Sequence, residues 1–470
     1  MTNNPAVHLD AAALSTIAAR GIPVPSYDRS ALLPRILHIG VGGFHRAHLA
    51  LYTHELATAG SDWGIRGLGM LSFDQRMADA LGSQDHLYTL IERGSDEPRP
   101  QVIGSIIDYV LAVDDAAAAA RRIANPEVKI LSLTITEAGY GGGGDNPTFD
   151  AVAAGLDERR TSGGGPLTIM SCDNLPGNGT AARAATMAAC QRRDPRLSEW
   201  VEANCTFPNS MVDRITPQTA PSDGIWLRDT WGIDDAWPVV AEPFRQWVIE
   251  DRFAAGRPPW ENVGALFTDR VHDWELYKLR MLNAAHSCMA YLCALAGVTY
   301  VDEAMATPAV RSYLERLLHS EAIPTLDEIP GYPREDYAAT VLERFTNTGV
   351  RDQIGRLCID GTAKFPTFLI PTVVRQIELG GPVECSALAL AGWAKYLATT
   401  AKDARAMDGS GDISAAYATQ ATSDPTKFLD LAQVFPSAVR DSDRFRQAFA
   451  AAAGRLDALG PLAAMAELGQ

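Results

Sequence analysis

The chain has 470 residues, enough for two large domains or about three of ordinary size. Its 41 Lys and Arg against 57 Asp and Glu give a formal net charge of −16, which argues against a nucleic-acid backbone or an anionic membrane as partner. Hydrophobic residues at 47% and charged residues at 21% describe a globular chain and exclude a disordered one.

The N-terminus does not read as a signal peptide: Arg20 is the first cation, and Asp10 interrupts the Ala-rich stretch. Residues 35–39 read as a short buried strand, broken by Gly40-Val41-Gly42-Gly43. Residues 44–59 follow with one helical periodicity. A strand is predicted at 63–71, a helix at 77–81, a strand at 102–113 and a helix at 116–123. Residues 128–136 and 166–171 are continuous apolar strands of the parallel-sheet type. This alternation predicts βαβ units and a doubly wound α/β sheet. From about Trp274 onward the patterns are helical, at 307–320, 335–345, 383–399 and 441–456, punctuated by Pro330, Pro333, Pro366 and Pro371. The shift divides the chain into 1–273 and 274–470. The longest apolar run without Lys, Arg, Asp or Glu, 281–301, contains Asn283 and His286 and reads as a buried helix, not a membrane span. The seven cysteines form no C-x-x-C pair and are odd in number, a usage that fits a reduced, cytoplasmic protein without a structural zinc.

The glycine loop follows a strand and opens a helix, where backbone N–H groups approach a pyrophosphate. His45 stands where a third glycine is usual. His45 and His48 are one helical turn apart, but no third acidic or thiol ligand is near, so packing or cofactor contact is favoured over metal.

In the segment 274–287 (WELYKLRMLNAAHS), a regular α-helix places Lys278 at 0°, Glu275 near 60°, His286 near 80° and Asn283 near 140°, at about 100° per residue. A polar stripe on an otherwise apolar helix must be satisfied. Either Glu275 and Lys278 form an internal ion pair, or Lys278 is a desolvated general base with Asn283 and His286 on the substrate oxygen. Asn174 and Glu137 each lie just past the carboxyl end of a strand, the ligand edge of an open α/β sheet, although turn chemistry also favours such residues.

The stretches HIGVGGFHRAH (38–48), SLTITEAGY (132–140), SCDNLPGNG (171–179), FPNSMVDRITP (207–217) and DDAWPVVAEPF (234–244), with the Lys278, Asn283 and His286 spacing, resemble the polyol-specific long-chain dehydrogenases. The resemblance runs from about residue 34 to the last helices. It implies a Rossmann-like N-terminal domain that binds NAD, a mostly α-helical C-terminal substrate-binding and catalytic domain, and an active site between them. It implies a monomer and a metal-independent conversion of a polyol to a ketose. Lys278 would be the general base, Asn174 and Asn283 an oxyanion hole, His286 the group that positions the reactive oxygen, and Glu275 the gate for proton exchange. Gly40, Gly42, Gly43, Phe44, His45, Asp74 and Glu137 would serve the cofactor. Arg356, Lys364 and Asp213 would serve the substrate, although Arg356, Asp360 and Lys364 also have the i, i+4 spacing of a surface ion-pair ladder.

Asp74 lies after the second strand, where such folds read the adenine ribose, and would favour NAD over NADP. It could instead cap the next helix with Ser72. The resembling enzymes carry an acidic pair here, whereas this chain has Phe73 before Asp74. D-Mannitol and D-fructose are the leading pair. Arabinitol or sorbitol oxidation and hexuronate reduction are alternatives, the last needing a cation that has no candidate. A non-catalytic NAD-binding sensor would not need Lys278 and the two asparagines.

Overall fold

Apolar runs that alternate with helical ones become a parallel sheet with crossover helices. In the computed structural model, which describes residues 5–113, 115–141, 146–400, 411–420 and 424–469, six strands form this sheet. They are β1 (Leu33–Ile39), β2 (Trp63–Gly69), β3 (Ile106–Leu111), β4 (Ile130–Leu133), β5 (Leu167–Ser171) and β6 (Cys205–Thr206). Their order is β3-β2-β1-β4-β5-β6, and every pairing is parallel. The order reverses between β1 and β4, and ligands of open α/β sheets bind at such a point, outside the carboxyl ends of the strands.

Alternation along β1 sends neighbouring side chains to opposite faces. Ile36 joins a core with Leu49, Tyr52 and Trp247. Leu37 and Ile39 join another with Ile123, Val152 and Leu156 from the helices Ala116–Ala124 and Pro147–Ser162. Both faces are covered, so the strands are apolar throughout.

Three expectations are corrected. Residues 44–59 form two helices, α1 (Gly43–Ala47) and α2 (Leu49–Thr58), because the backbone leaves helical geometry at His48 (φ −123°, ψ −93°). The His48 ring donates from Nε2 to the Gln246 carbonyl (3.1 Å) and packs on Phe44, Tyr52 and Trp247, so tertiary contacts override the periodicity. Residues 102–113 are two strands in two sheets, Arg99–Ile103 and β3. The Arg29 guanidinium donates to the carbonyls of Gly104 and Ile106 and fixes the corner. Strand 128–136 stops at Leu133, before Thr136 at φ +65°. Two further three-stranded sheets, one from Val239–Ala241, Tyr88–Glu92 and Arg99–Ile103 and one from Ser210–Asp213, Gln246–Ile249 and Leu266–Phe267, and the pair Val7–His8 and Ile233–Asp234 account for the other strands among the described residues.

The backbone divides into two units, Met1–His272 and Asp273–Gln470. Among its described residues the second unit is helical, with only isolated bridges. Its central helix α4 (Ala284–Leu295) packs on α5 (Glu384–Thr399). Gly392 makes that approach possible: a Cβ there would lie 2.6 Å from Leu292 Cδ2. Among the described residues no helix is long and apolar enough to cross a membrane.

Candidate functional site

In the first unit, the ends of β1 and β4 are stitched together at the reversal. The His38 ring bonds Ser132 Oγ (2.8 Å) through Nδ1 and Thr134 Oγ1 (2.9 Å) through Nε2. Thr134 Oγ1 in turn donates to the Gly40 carbonyl (2.6 Å). Gly40 has φ +91°, and a Cβ there would lie 2.0 Å from the Thr134 carbonyl oxygen, so only glycine fits. At Gly42 a Cβ would meet nothing closer than the Gly40 carbonyl at 3.8 Å. That leaves open space beside the loop, as a pyrophosphate requires. Gly43 is not sterically compelled, since its Cβ would make ordinary contacts with Thr216 and Val239. With α1 only five residues long, support for an anion comes from local N–H groups more than from a long helix dipole.

Phe44 stacks on His48 (4.9 Å). His45 is 1% exposed and stacks on His38, with centroids 3.5 Å apart and planes at 16°. Burial pushes His45 well below the ordinary histidine range, so the ring is neutral, and neither ring nitrogen has a hydrogen-bond partner in the structure. Arg46, missed by the sequence reasoning, is buried behind the loop. It donates to the carbonyls of Gly42 (3.4 Å) and Trp237 and lies over the rings of Tyr88 and Trp237.

Asp74 accepts from the N–H groups of Met70 (2.8 Å) and Leu71 (2.9 Å), both through Oδ2. Its side chain clamps the preceding turn and does not cap the following helix Gln75–Gly82. Asn174 is exposed on the turn after β5. Glu137 opens the 3-10 turn Glu137–Tyr140, and its side chain lies outside the described residues. The organiser of both loops is Asp173, which the sequence did not single out. Its carboxylate accepts from Ile135 N (3.0 Å), Thr136 N (2.8 Å) and Tyr140 Oη (2.6 Å). Its place one residue before Asn174 was the only signal. Asp213 is buried at the end of the strand Ser210–Asp213.

In the second unit the polar stripe is not on a regular α-helix. α3 (Val271–Tyr277) runs into a π-helical turn, Lys278–Asn283, which continues as α4. A π turn accommodates one extra residue and turns the positions after it back by about 100°. With Lys278 kept as the origin and Glu275 still at about 60°, Asn283 falls at about 40° and His286 at about −20°. The four groups narrow from a sector of about 140° to one of about 80°. Lys278 is 8% exposed and Glu275 is buried, while Asn283 and His286 are half-buried. The His286 ring lies flat on Phe345 (4.0 Å, 19°), which fixes its plane.

Arg356 forks onto Asp352, with Nε to Oδ1 at 2.8 Å. Lys364 Nζ donates to the Leu357 carbonyl (3.3 Å). The ion-pair ladder does not form, because Asp360 at φ +58° interrupts the helix and Arg356 pairs upstream. Among the described residues no group of three His, Cys, Asp or Glu converges as a metal would require.

Residues 34–262 match the family described as mannitol dehydrogenase Rossmann domain, and residues 270–457 match that described as mannitol dehydrogenase C-terminal domain. The chain is 38% identical to a mannitol 2-dehydrogenase of Phaeosphaeria nodorum over 91% of this chain and 80% of that one. It is 40% identical to a mannitol 2-dehydrogenase of Neosartorya fischeri, over 92% and 93%. The solved mannitol 2-dehydrogenase of Pseudomonas fluorescens, a ternary complex with NAD and D-mannitol, matches with a TM-score of 0.89 at 37% identity, over 98% of this chain and 99% of that one. A D-sorbitol dehydrogenase in substrate-free form matches with a TM-score of 0.87 at 33% identity, over 98% and 100%.

Proposed function

Because the chain belongs to the mannitol dehydrogenase family, we propose that it oxidises a secondary alcohol of a polyol to a ketose with NAD, D-mannitol and D-fructose being the leading pair. The observation that carries this is the π turn Lys278–Asn283, which by helical count narrows Glu275, Lys278, Asn283 and His286 to a sector of about 80°. The residues of the first unit fit a dinucleotide: a reversal in strand order, a Gly40 turn that excludes any side chain, and open space at Gly42. When bound, NAD accepts the hydride.

The protein's own task is then the proton and the oxygen. Lys278 removes the hydroxyl proton, since a lysine withdrawn from water is the residue type that can offer a neutral amine near pH 7. Asn283 and Asn174 donate amide N–H groups to the developing alkoxide, worth about 2–4 kcal/mol each by analogy with oxyanion donors. His286, its ring held by Phe345, orients the hydroxyl. Glu275, one turn before Lys278, relays the proton toward solvent. Arg356, Lys364 and Asp213 are assigned to the distal hydroxyls, and the reaction uses no metal. Cofactor binding belongs to 1–273 and the base to 274–470.

A sorbitol preference is the second reading, supported by the similarity to a D-sorbitol dehydrogenase. NAD reduction measured with mannitol, sorbitol and arabinitol separates the two. In the same assay Lys278→Ala is expected to lower kcat by about 10²–10⁴-fold. Near-normal turnover of that variant at neutral pH would remove Lys278 from the base role.

A further inference from the structure

We propose that Leu71 and Phe73 form an apolar shelf that receives the adenine ring of the dinucleotide, with Phe73 binding it by stacking. The proposal rests on the NAD reading above and names how the adenosine half is held. β2 ends at Gly69. Two residues on, Leu71 is 47% exposed, and Phe73 is 71% exposed, the most exposed large hydrophobic side chain among the described residues. A single exposed apolar residue means little. Here two stand at i, i+2 at the carboxyl end of the strand beside β1, the edge at which this kind of sheet binds its ligand.

The shelf is rigid. Asp74 Oδ2 holds the N–H groups of Met70 and Leu71, and residues Ser72–Asp74 form a 3-10 turn. The Tyr109 side chain backs it: a Cβ on Gly69 would lie 2.3 Å from Tyr109 Oη and 2.8 Å from Asp74 Cβ. The Arg76 guanidinium is parked on the Trp237 ring, 3.9 Å from its centroid.

The chemistry of the pair selects the occupant. An aromatic face next to a carboxylate suits a flat, uncharged aromatic base attached to a ribose diol. A polyol has no apolar face to offer it. The pyrophosphate is assigned to the glycine loop after β1, so the group that reaches past β2 is the adenosine. Stacking on Phe73 replaces what a second carboxylate could supply by hydrogen bonding.

The test is binding to the full-length protein, followed by fluorescence titration or calorimetry, with ADP-ribose, AMP and reduced nicotinamide mononucleotide as probes. Phe73→Ala is expected to weaken ADP-ribose and AMP by about 5- to 150-fold, the range of base–aromatic stacking. Reduced nicotinamide mononucleotide should change by less than about twofold, and Phe73→Tyr should retain adenosine binding. A substitution at so exposed a position leaves the fold intact, and an unchanged Tm verifies it. Unchanged ADP-ribose binding in Phe73→Ala, or equal weakening of AMP and the mononucleotide, overturns the shelf while leaving NAD binding intact. A wild-type protein that binds neither NADH nor ADP-ribose overturns the NAD reading, and the shelf with it.

Discussion

The first unit buries four histidines, His38, His45, His48 and His54, whereas the second buries the carboxylate of Glu321 against the end of a helix. Burial pushes His38 and His48 down to about 3 and His54 down to about 4. Their partners are neutral oxygens: Ser132 and Thr134 for His38, the Gln246 carbonyl for His48 and the Tyr27 hydroxyl for His54. Glu321 lies in a second π-helical turn, Leu317–Ala322, and accepts from Cys385 N (2.6 Å), Ser386 N (2.9 Å) and the Ser386 hydroxyl. It supplies partners that the first N–H groups of α5 would otherwise lack. Burial pushes Glu321 up to about 7, against the downward pull of those three donors. One force, desolvation, favours the neutral form in each case and so gives these histidines and the Glu321 carboxylate opposite responses to pH.

The largest effect that would break this comparison lies in the first unit. A histidine with an ordinary value near 6.5 and a folded value of 3–4 contributes stability that is present above 6.5 and lost as pH falls toward the folded value. Acidification from pH 7 to pH 4.5 should cost the first unit on the order of 5 kcal/mol. Seven of the nine tryptophans precede residue 273, so tryptophan fluorescence in urea follows this unit. A urea midpoint that does not move between pH 7 and pH 4.5 would contradict the neutral histidines.

Glu321 should do the reverse. Its folded value lies above the ordinary 4.5, so the stability it contributes is fully present below 4.5 and lost as pH rises through 7. The loss is about 3 kcal/mol by pH 8. Hydrogen exchange of α5, corrected for intrinsic rates, should show weaker protection at pH 8 than at pH 5. Glu321→Gln should flatten that slope. Equal slopes in both proteins would mean that another group carries the proton.

The two units also differ in how far their sequences could be read. The strands at 35–39 and 166–171 and the second-unit helices at 335–345, 383–399 and 441–456 declare themselves by their apolar patterns, whereas helices such as Ile370–Leu379 and Pro461–Leu468 do not. Gly40, whose turn admits no Cβ, declares itself too, and so the sheet and its ligand edge were legible. The two-residue strand β6 carries too little pattern to read, and the break at His48 is imposed by Gln246 and Trp247 from about 200 residues away. The π turn was invisible for another reason: an α-helical count fits Trp274–Ser287 locally, and only the hydrogen bonding reveals the extra residue. An α-helical count therefore sets Asn283 and His286 at the wrong angles from Lys278. Asp173 was hidden because its value lies in ordering two loops distant in sequence.

The smallest effect concerns Asp74, where the first unit places a carboxylate at a half-exposed edge instead of burying it. Two roles compete there. The observed bonds to Met70 N and Leu71 N make it a turn clamp, while its place after β2 makes it a reader of the ribose hydroxyls. Asp74→Ala removes both roles at once. Asp74→Asn separates them, because the amide oxygen can still accept the two N–H groups while the charge is gone. If the charge repels a 2′-phosphate, Asp74→Asn should lower the NAD to NADP ratio of kcat/KM by about 3- to 10-fold, the worth of a partly screened charge pair. Asp74→Ala should shift the ratio at least as far and also lower Tm, through loss of charge-assisted bonds worth about 1.5–3 kcal/mol each. A lower Tm in Asp74→Ala with an unchanged ratio in both variants would confine Asp74 to the clamp and leave selection of the cofactor to other groups at that edge.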